Sequence, residues 1–231
     1  MATNAQVLAR VRDMLDEQTA AQWTDLQLRR WLNDGVADLA RSTRFYEQST
    51  DVTVLTGTAI ATLPSDVMEI QHVYWISTTD STRTKPLIAQ HFESMDAVWG
   101  QWQNDRTGEP YTFAPRGLAP NLKVHLYPIP SEDGTLRVFY VGLPTAINEG
   151  GSDDSNTCAV PDGWVDILVH YIEYRSLRKD RDPRWQEALA IYNEQRDTLA
   201  EHDSLAVARE IVMDPWAGAV PRFIADPDYP Y

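Results

Sequence analysis

Apolar positions recur every three to four residues over residues 1–42, every second residue through much of 45–144, and every three to four again from 161 onward. Over residues 4–18, Val7, Leu8, Val11, Met14 and Leu15 fall on one helical face. Thr3 and Gln6 have capping-box spacing, in which each side chain satisfies a backbone N–H at the helix start. The stretch 23-WTDLQL-28 predicts a second helix. Thr24 is the expected N-cap, Gln27 sits at N3, and Trp23 and Leu28 form a hydrophobic staple. Asp25 in the first turn suits the positive end of the helix dipole. Leu28, Trp31, Leu32, Val36 and Leu39 carry the stripe to about Ser42.

The period then shortens. Residues 45–63 are rich in Thr and Val with local alternation, and Gly57 predicts a turn within them. Pro64 interrupts, and 65–78 read as a further strand. Residues 79–85 read as a loop, 90–102 as a short helix, and 104–121 as mostly loop with a strand near 111–113. Two alternating runs, 122-LKVHLYPIP-130 and 134-GTLRVFYVGLP-144, flank a short connection that ends in Asp133-Gly134. That combination predicts a β-hairpin. Residues 148–157, NEGGSDDSNT, read as a loop.

Helices return at Pro161-Asp162, where proline near the first helical position is preorganised. Trp164, Ile167, Leu168, Tyr171, Ile172 and Arg175 face one way. Asp182-Pro183 repeats the start signal, and Trp185, Leu189, Tyr192, Arg196 and Leu199 mark a helix expected to fray or bend before Ile211. Helix stripes on either side of a β region need partners, and the economical solution is for them to pack on one another. The expected fold is α+β. Residues 1–45 and 149–210 form a helical bundle, 46–148 a β-rich insertion, and 211–231 an extended C-terminal arm.

The arm reads 214-DPWAGAVPRFIADPDYPY-231. Pro215, Pro221, Pro227 and Pro230 each remove a backbone donor and forbid a helix. Trp216, Phe223, Ile224, Tyr229 and Tyr231 make it far more aromatic than a solvated tail. An extended aromatic peptide is expected to dock on a neighbouring subunit or another protein, with those five residues as anchors. The bland alternative is that it folds back on its own domain. Trp99 and Trp102, in a polar context, are candidates for a second interface.

Composition narrows the function classes. Formal net charge is −14, and residues 149–231 carry 17 acidic against 8 basic side chains. Nucleic-acid binding needs a clustered basic footprint, which is lacking, so the composition argues against DNA gripping and is compatible with an acidic surface that DNA slides past. Mean hydropathy is −0.41, and no apolar run approaches the ~18 residues that span a membrane. A single cysteine, Cys158, rules out an internal disulfide framework and suits a reducing cytosol.

Catalytic signatures are absent: there is no GxSxG, phosphate-binding loop, HExxH or CxxC. Ser65-Asp66 reads as turn capping rather than a nucleophile. His170 and Glu173, three apart on a helix, could hold a metal, but bundle sites combine several helices, and a partly buried His beside a Glu is the simpler reading. The acidic loop 148–157 lacks the ligand spacing of a calcium loop and reads as solvated. Cys158 reads as a buried structural thiol, and Trp31, Trp164 and Trp185 as core.

The order of segments 23–41, 52–70, 126–144, 160–177 and 185–192 resembles head-to-tail adaptor (connector) proteins of short-tailed, podovirus-type phages. The resemblance implies a bundle with a β-rich insertion and a virion structural role without catalytic residues or cofactor. It implies a homo-oligomeric ring, typically a dodecamer, in the neck between head and tail and assembled in the host cytoplasm. One side would meet the portal protein and the other a tail nozzle or tube protein, with double-stranded DNA passing through without specific binding at packaging and ejection. The C-terminal segment commonly reaches the portal. Two other readings compete: a soluble monomeric binding module whose tail binds its own domain, and a metal-dependent hydrolase using His170 and Glu173.

Overall fold

The computed structural model describes residues 1–17, 22–80, 82, 84–99 and 106–213, with backbone alone for 98–99 and 203–213. Helix α1 spans Asn4–Met14. Its capping box is complete: the Thr3 hydroxyl accepts from the Gln6 N–H at 3.3 Å, and the Gln6 side chain accepts from the Thr3 N–H at 2.9 Å. The helix ends before the expected residue 18 because Asp16 adopts a left-handed φ of 53°. Val7, Leu8 and Val11 are buried, whereas Met14, expected on the same stripe, is 44% exposed.

Helix α2, Asp25–Thr43, starts as read, with Thr24 accepting from the Gln27 N–H at 3.3 Å. Trp23 is buried against Trp31, ring centroids 5.3 Å apart. The C-terminal half supplies α4, Val165–Asp180, after a 3₁₀ turn at Asp162–Trp164. It also supplies α5, a helix that continues without a break over Trp185–Met213, where the sequence predicts fraying or a bend before Ile211. Helix α4 packs on α1, α2 and α5. Leu28, Leu32, Leu39, Ile167, Leu168 and Ile172 are fully buried in the shared core. Each contributes roughly 1.5–3 kcal/mol. Gly35 of α2 lets the helices close: a Cβ there would lie 2.8 Å from the Tyr171 ring. The two helix pairs therefore form one bundle.

The β-rich middle holds ten strands among the described residues. They are β1 Glu47–Val54, β2 Ile60–Thr62, β3 Val67–Ser77, β4 Thr84–Pro86, β5 Ile88–Ala89, β6 Thr107–Gly108, β7 Thr112–Arg116, β8 Lys123–Tyr127, β9 Ile129–Pro130 and β10 Gly134–Gly142. One sheet has the order β1-β10-β3-β4, the other β2-β8-β7-β5, and β6 pairs with β9. Val73, Trp75, Leu136 and Val138 of the first sheet share a buried core with Ala61, Phe113, Val124 and Leu126 of the second. Helix α3, Phe92–Trp99, covers the far side of the second sheet, with Met95 buried against Ala114 and Tyr127.

The expected hairpin of 122–130 with 134–144 does not form. Strand β8 lies between β2 and β7, and β10 between β1 and β3, so the chain crosses from one sheet to the other. Both edges of each run are taken. Pro128 and Pro130 also withhold the N–H donors a hairpin arm would need. The Asp-Gly signal has another cause. Gly134 is packed beneath Trp75, and a Cβ there would lie 2.2 Å from the indole ring. The expected loop 79–85 also yields Thr84 and Lys85 to β4. No helix among the described residues is long and apolar enough to cross a membrane.

Candidate functional site: docking surfaces

Helix α5 runs antiparallel to α4. Arg178 lies over Trp185, Tyr171 stacks on Tyr192 and Trp164 on His202, with ring or charge centres 5.1–6.0 Å apart. Residues 203–213 therefore carry α5 about 16 Å beyond Trp164. Asp34 of α2 pairs with Arg175 of α4, and Asp38 with Tyr192 of α5, so α2 and α5 run the same way. The end of α5 thus points to the side from which the β region emerges after Thr43. Met213 is the root of the arm. The anchors read from sequence, Trp216, Phe223, Ile224, Tyr229 and Tyr231, lie outside the described residues, as do Trp102 and the side chain of Trp99.

The structure brings together a surface that sequence reasoning missed. Strand alternation sends Leu136, Val138 and Tyr140 of β10 inward and Arg137 and Phe139 outward. Register places Ser49, Phe139 and His72 in one row across β1, β10 and β3, and Asp51, Arg137 and Tyr74 in the next. Phe139 is 37% exposed and meets Tyr74 edge to face at 5.7 Å. Arg137 donates two hydrogen bonds of 2.8 Å to Asp51. Those bonds hold the Asp51 carboxyl below its ordinary range and raise the guanidinium. Strand β3 shifts register opposite Phe139 and Tyr140, and the extra residue, Gln71, donates to Glu47. Glu47, Gln48, Ser49, Gln71 and Phe139 line a notch of about 300 Å³. The available signal was an aromatic residue at 139 in the polar phase of an alternating strand.

The other candidates resolve into structural roles. His170 Nδ1 lies 3.1 Å from Glu173 Oε2 on α4, and the described residues hold no group of three His, Cys, Asp or Glu side chains that could ligate a metal. The loop 148–157 has six of its ten residues exposed and none buried, as read, and it also ties to the bundle. The Asn4 and Ala5 N–H groups donate to the Asn156 and Asp154 carbonyls at 3.0 and 2.8 Å, and Arg29 pairs with Asp154. Asp66 accepts the Tyr140 hydroxyl at 3.0 Å, which places Ser65-Asp66 in packing. Cys158 is buried, and burial pushes its thiol pKa up.

The family described as SU10 adaptor protein matches residues 2–226 of the chain. No curated protein matches it.

Proposed function

The chain belongs to the SU10 adaptor protein family, whose members are phage structural proteins, and on that premise we propose that it is the head-to-tail adaptor of a short-tailed phage. Copies form a ring, a dodecamer, in the neck of the virion after assembly in the host cytoplasm. The ring joins the portal protein to a tail nozzle or tube protein and continues the DNA channel. Its interfaces are heterologous and close on themselves. The arm begins after Met213 and not at the expected residue 211, because α5 is helical through Met213, and it docks through Trp216, Phe223, Ile224, Tyr229 and Tyr231 on the portal or an adjacent subunit, with Trp99 and Trp102 forming a second contact. A second attachment per subunit raises avidity without enlarging the body.

The observation that carries this reading is the extent of the family match, which covers the bundle, the sandwich and all but the last five residues of the arm. The net charge of −14 suits a channel that DNA traverses without adhesion, because phosphate contacts need cations.

The test is to mix the purified chain with the portal ring of its phage and image the mixture by electron microscopy, alongside a version ending at Met213. The full chain is expected to add a ring to the portal and the shortened one to fail. Failure of both overturns the adaptor reading and leaves a monomeric binding module.

A further inference from the structure

We propose that the notch beside Phe139 receives the proline–tyrosine end of the arm, residues 227–231, from an adjacent copy in the assembled ring; this rests on the ring reading above. Three observations converge on it.

The first is the shape and chemistry of the notch. An aromatic wall, Phe139 backed by Tyr74, faces hydrogen-bond acceptors on Glu47, Ser49 and Gln71. A site of about 300 Å³ admits one or two side chains of such a segment, with the others lying along its rim. It suits a ligand that offers rings and hydroxyl donors and brings few backbone N–H groups to desolvate.

The second is the composition of 227-PDYPY-231. Its two prolines have no N–H and pack on aromatic faces, as proline-rich peptides do in aromatic-lined grooves. Its two tyrosines supply the rings and the donors. Asp226 and Asp228 are acidic, as are Glu47 and Asp51 beside the notch, so the acids of the arm are placed away from these, at the rim beside His72.

The third is reach. The 18 residues after Met213 span up to about 60 Å when extended. Helix α5 points their root toward the side of the molecule where β1 begins, and β1 forms one wall of the notch. In a closed ring every copy presents its arm root and its notch in the same relation to the next, so an arm that crosses to one neighbour repeats around the ring.

The experiment uses the full chain assembled on its portal. Cys158 is the only native thiol, so a Cys158→Ala background removes competing chemistry. Ser49→Cys and Tyr229→Cys are introduced together and oxidised. A second pair, Gln48→Cys with Tyr231→Cys, samples a neighbouring geometry. Gln48 and Ser49 are both exposed. The expected result is a ladder of covalent multimers on a denaturing, non-reducing gel, which collapses on reduction and is absent from each single-cysteine variant. Rings that form on the portal while both pairs remain unlinked overturn the inference and leave the adaptor reading standing. Closure within one chain, seen as a monomer with no free thiol, overturns it equally. Failure of the unmodified chain to form rings on the portal is a different result and removes the adaptor reading itself.

Discussion

Of the eight large hydrophobic side chains that stand exposed among the described residues, Met1, Met14 and Leu26 belong to the bundle segments. Leu55, Ile60, Ile88, Leu118 and Phe139 belong to the β-rich region. The bundle closes on itself: α4 is covered on several sides by α1, α2 and α5, and the acidic loop is clamped across the start of α1. The β region buries the faces between its sheets but leaves the outer face of β1-β10-β3-β4 with an aromatic pair and a notch. Scattered apolar residues on a surface need no explanation, whereas an aromatic pair beside a concavity does. The bundle therefore spends its apolar side chains on its own core, whereas the β region leaves an aromatic pair on its outer face.

The sharpest test of the two interiors is a single methyl group. In the β region, Gly134→Ala drives a Cβ into the Trp75 ring at 2.2 Å, within a fully buried core. We expect a loss of about 3 kcal/mol in urea unfolding. In the bundle, Gly35→Ala meets Tyr171 at 2.8 Å, but helix propensity returns about 1 kcal/mol, and the net loss is about 1 kcal/mol. Equal losses would mean that the sandwich is packed no more tightly here than the bundle.

Ion pairs divide the same way. Arg29 and Asp154 have side-chain exposures of 13% and 26%, and the pair ties α2 to the acidic loop. Asp154→Ala leaves a mostly buried guanidinium without its anion and is expected to cost about 1.5 kcal/mol. On the open face, Asp51 and Arg137 are 48% and 44% exposed. Asp51→Ala is expected to leave the urea midpoint unchanged, because solvent screens such pairs. A loss there equal to that of Asp154→Ala would show that the outer face also holds the fold together.

Alkaline pH probes a motif the two regions share. Burial first, then the hydrogen bond to Asp66, pushes the Tyr140 hydroxyl pKa up to about 12. Burial and Asp38 raise Tyr192 of the bundle in the same direction. A raised folded-state pKa contributes stability that is fully present below the unfolded value near 10 and is lost as pH climbs through the folded one. Unfolding midpoints should therefore fall between about pH 10 and about pH 12, and Tyr140→Phe should flatten part of that fall. A Tyr140→Phe profile that overlays the native one would put the alkaline sensitivity elsewhere.

Local chemistry made the bundle legible in the sequence. Thr3 with Gln6 and Thr24 with Gln27 act within four residues of themselves, and the stripes of α2 and α4 are periodic over several turns. The sandwich depends on partners distant in sequence: β1 pairs with a strand that begins 80 residues after its own end. Asp133-Gly134 carried a local hairpin signal, and the long-range demand of Trp75 overrode its meaning. The loop 148–157 was legible as acidic, but its clamp on Asn4, Ala5 and Arg29 joins positions more than 100 residues apart. Phe139 could be placed on an outward phase from sequence alone, yet the notch exists only because a bulge brings Gln71 to Glu47.

A small expected effect on stability is also the most informative about the open face. Phe139→Thr puts a β-branched residue in the strand and removes the ring that lines the notch and meets Tyr74 edge to face. Loss of one exposed cross-strand aromatic pair should cost less than about 1 kcal/mol in urea unfolding. The inward neighbour Leu136 is fully buried, and Leu136→Ala should cost about 3 kcal/mol. If Phe139→Thr destabilises the isolated chain as much as Leu136→Ala does, the ring belongs to the core and the distinction between core and open face fails. If it does not, the ring contributes little to the fold it sits on.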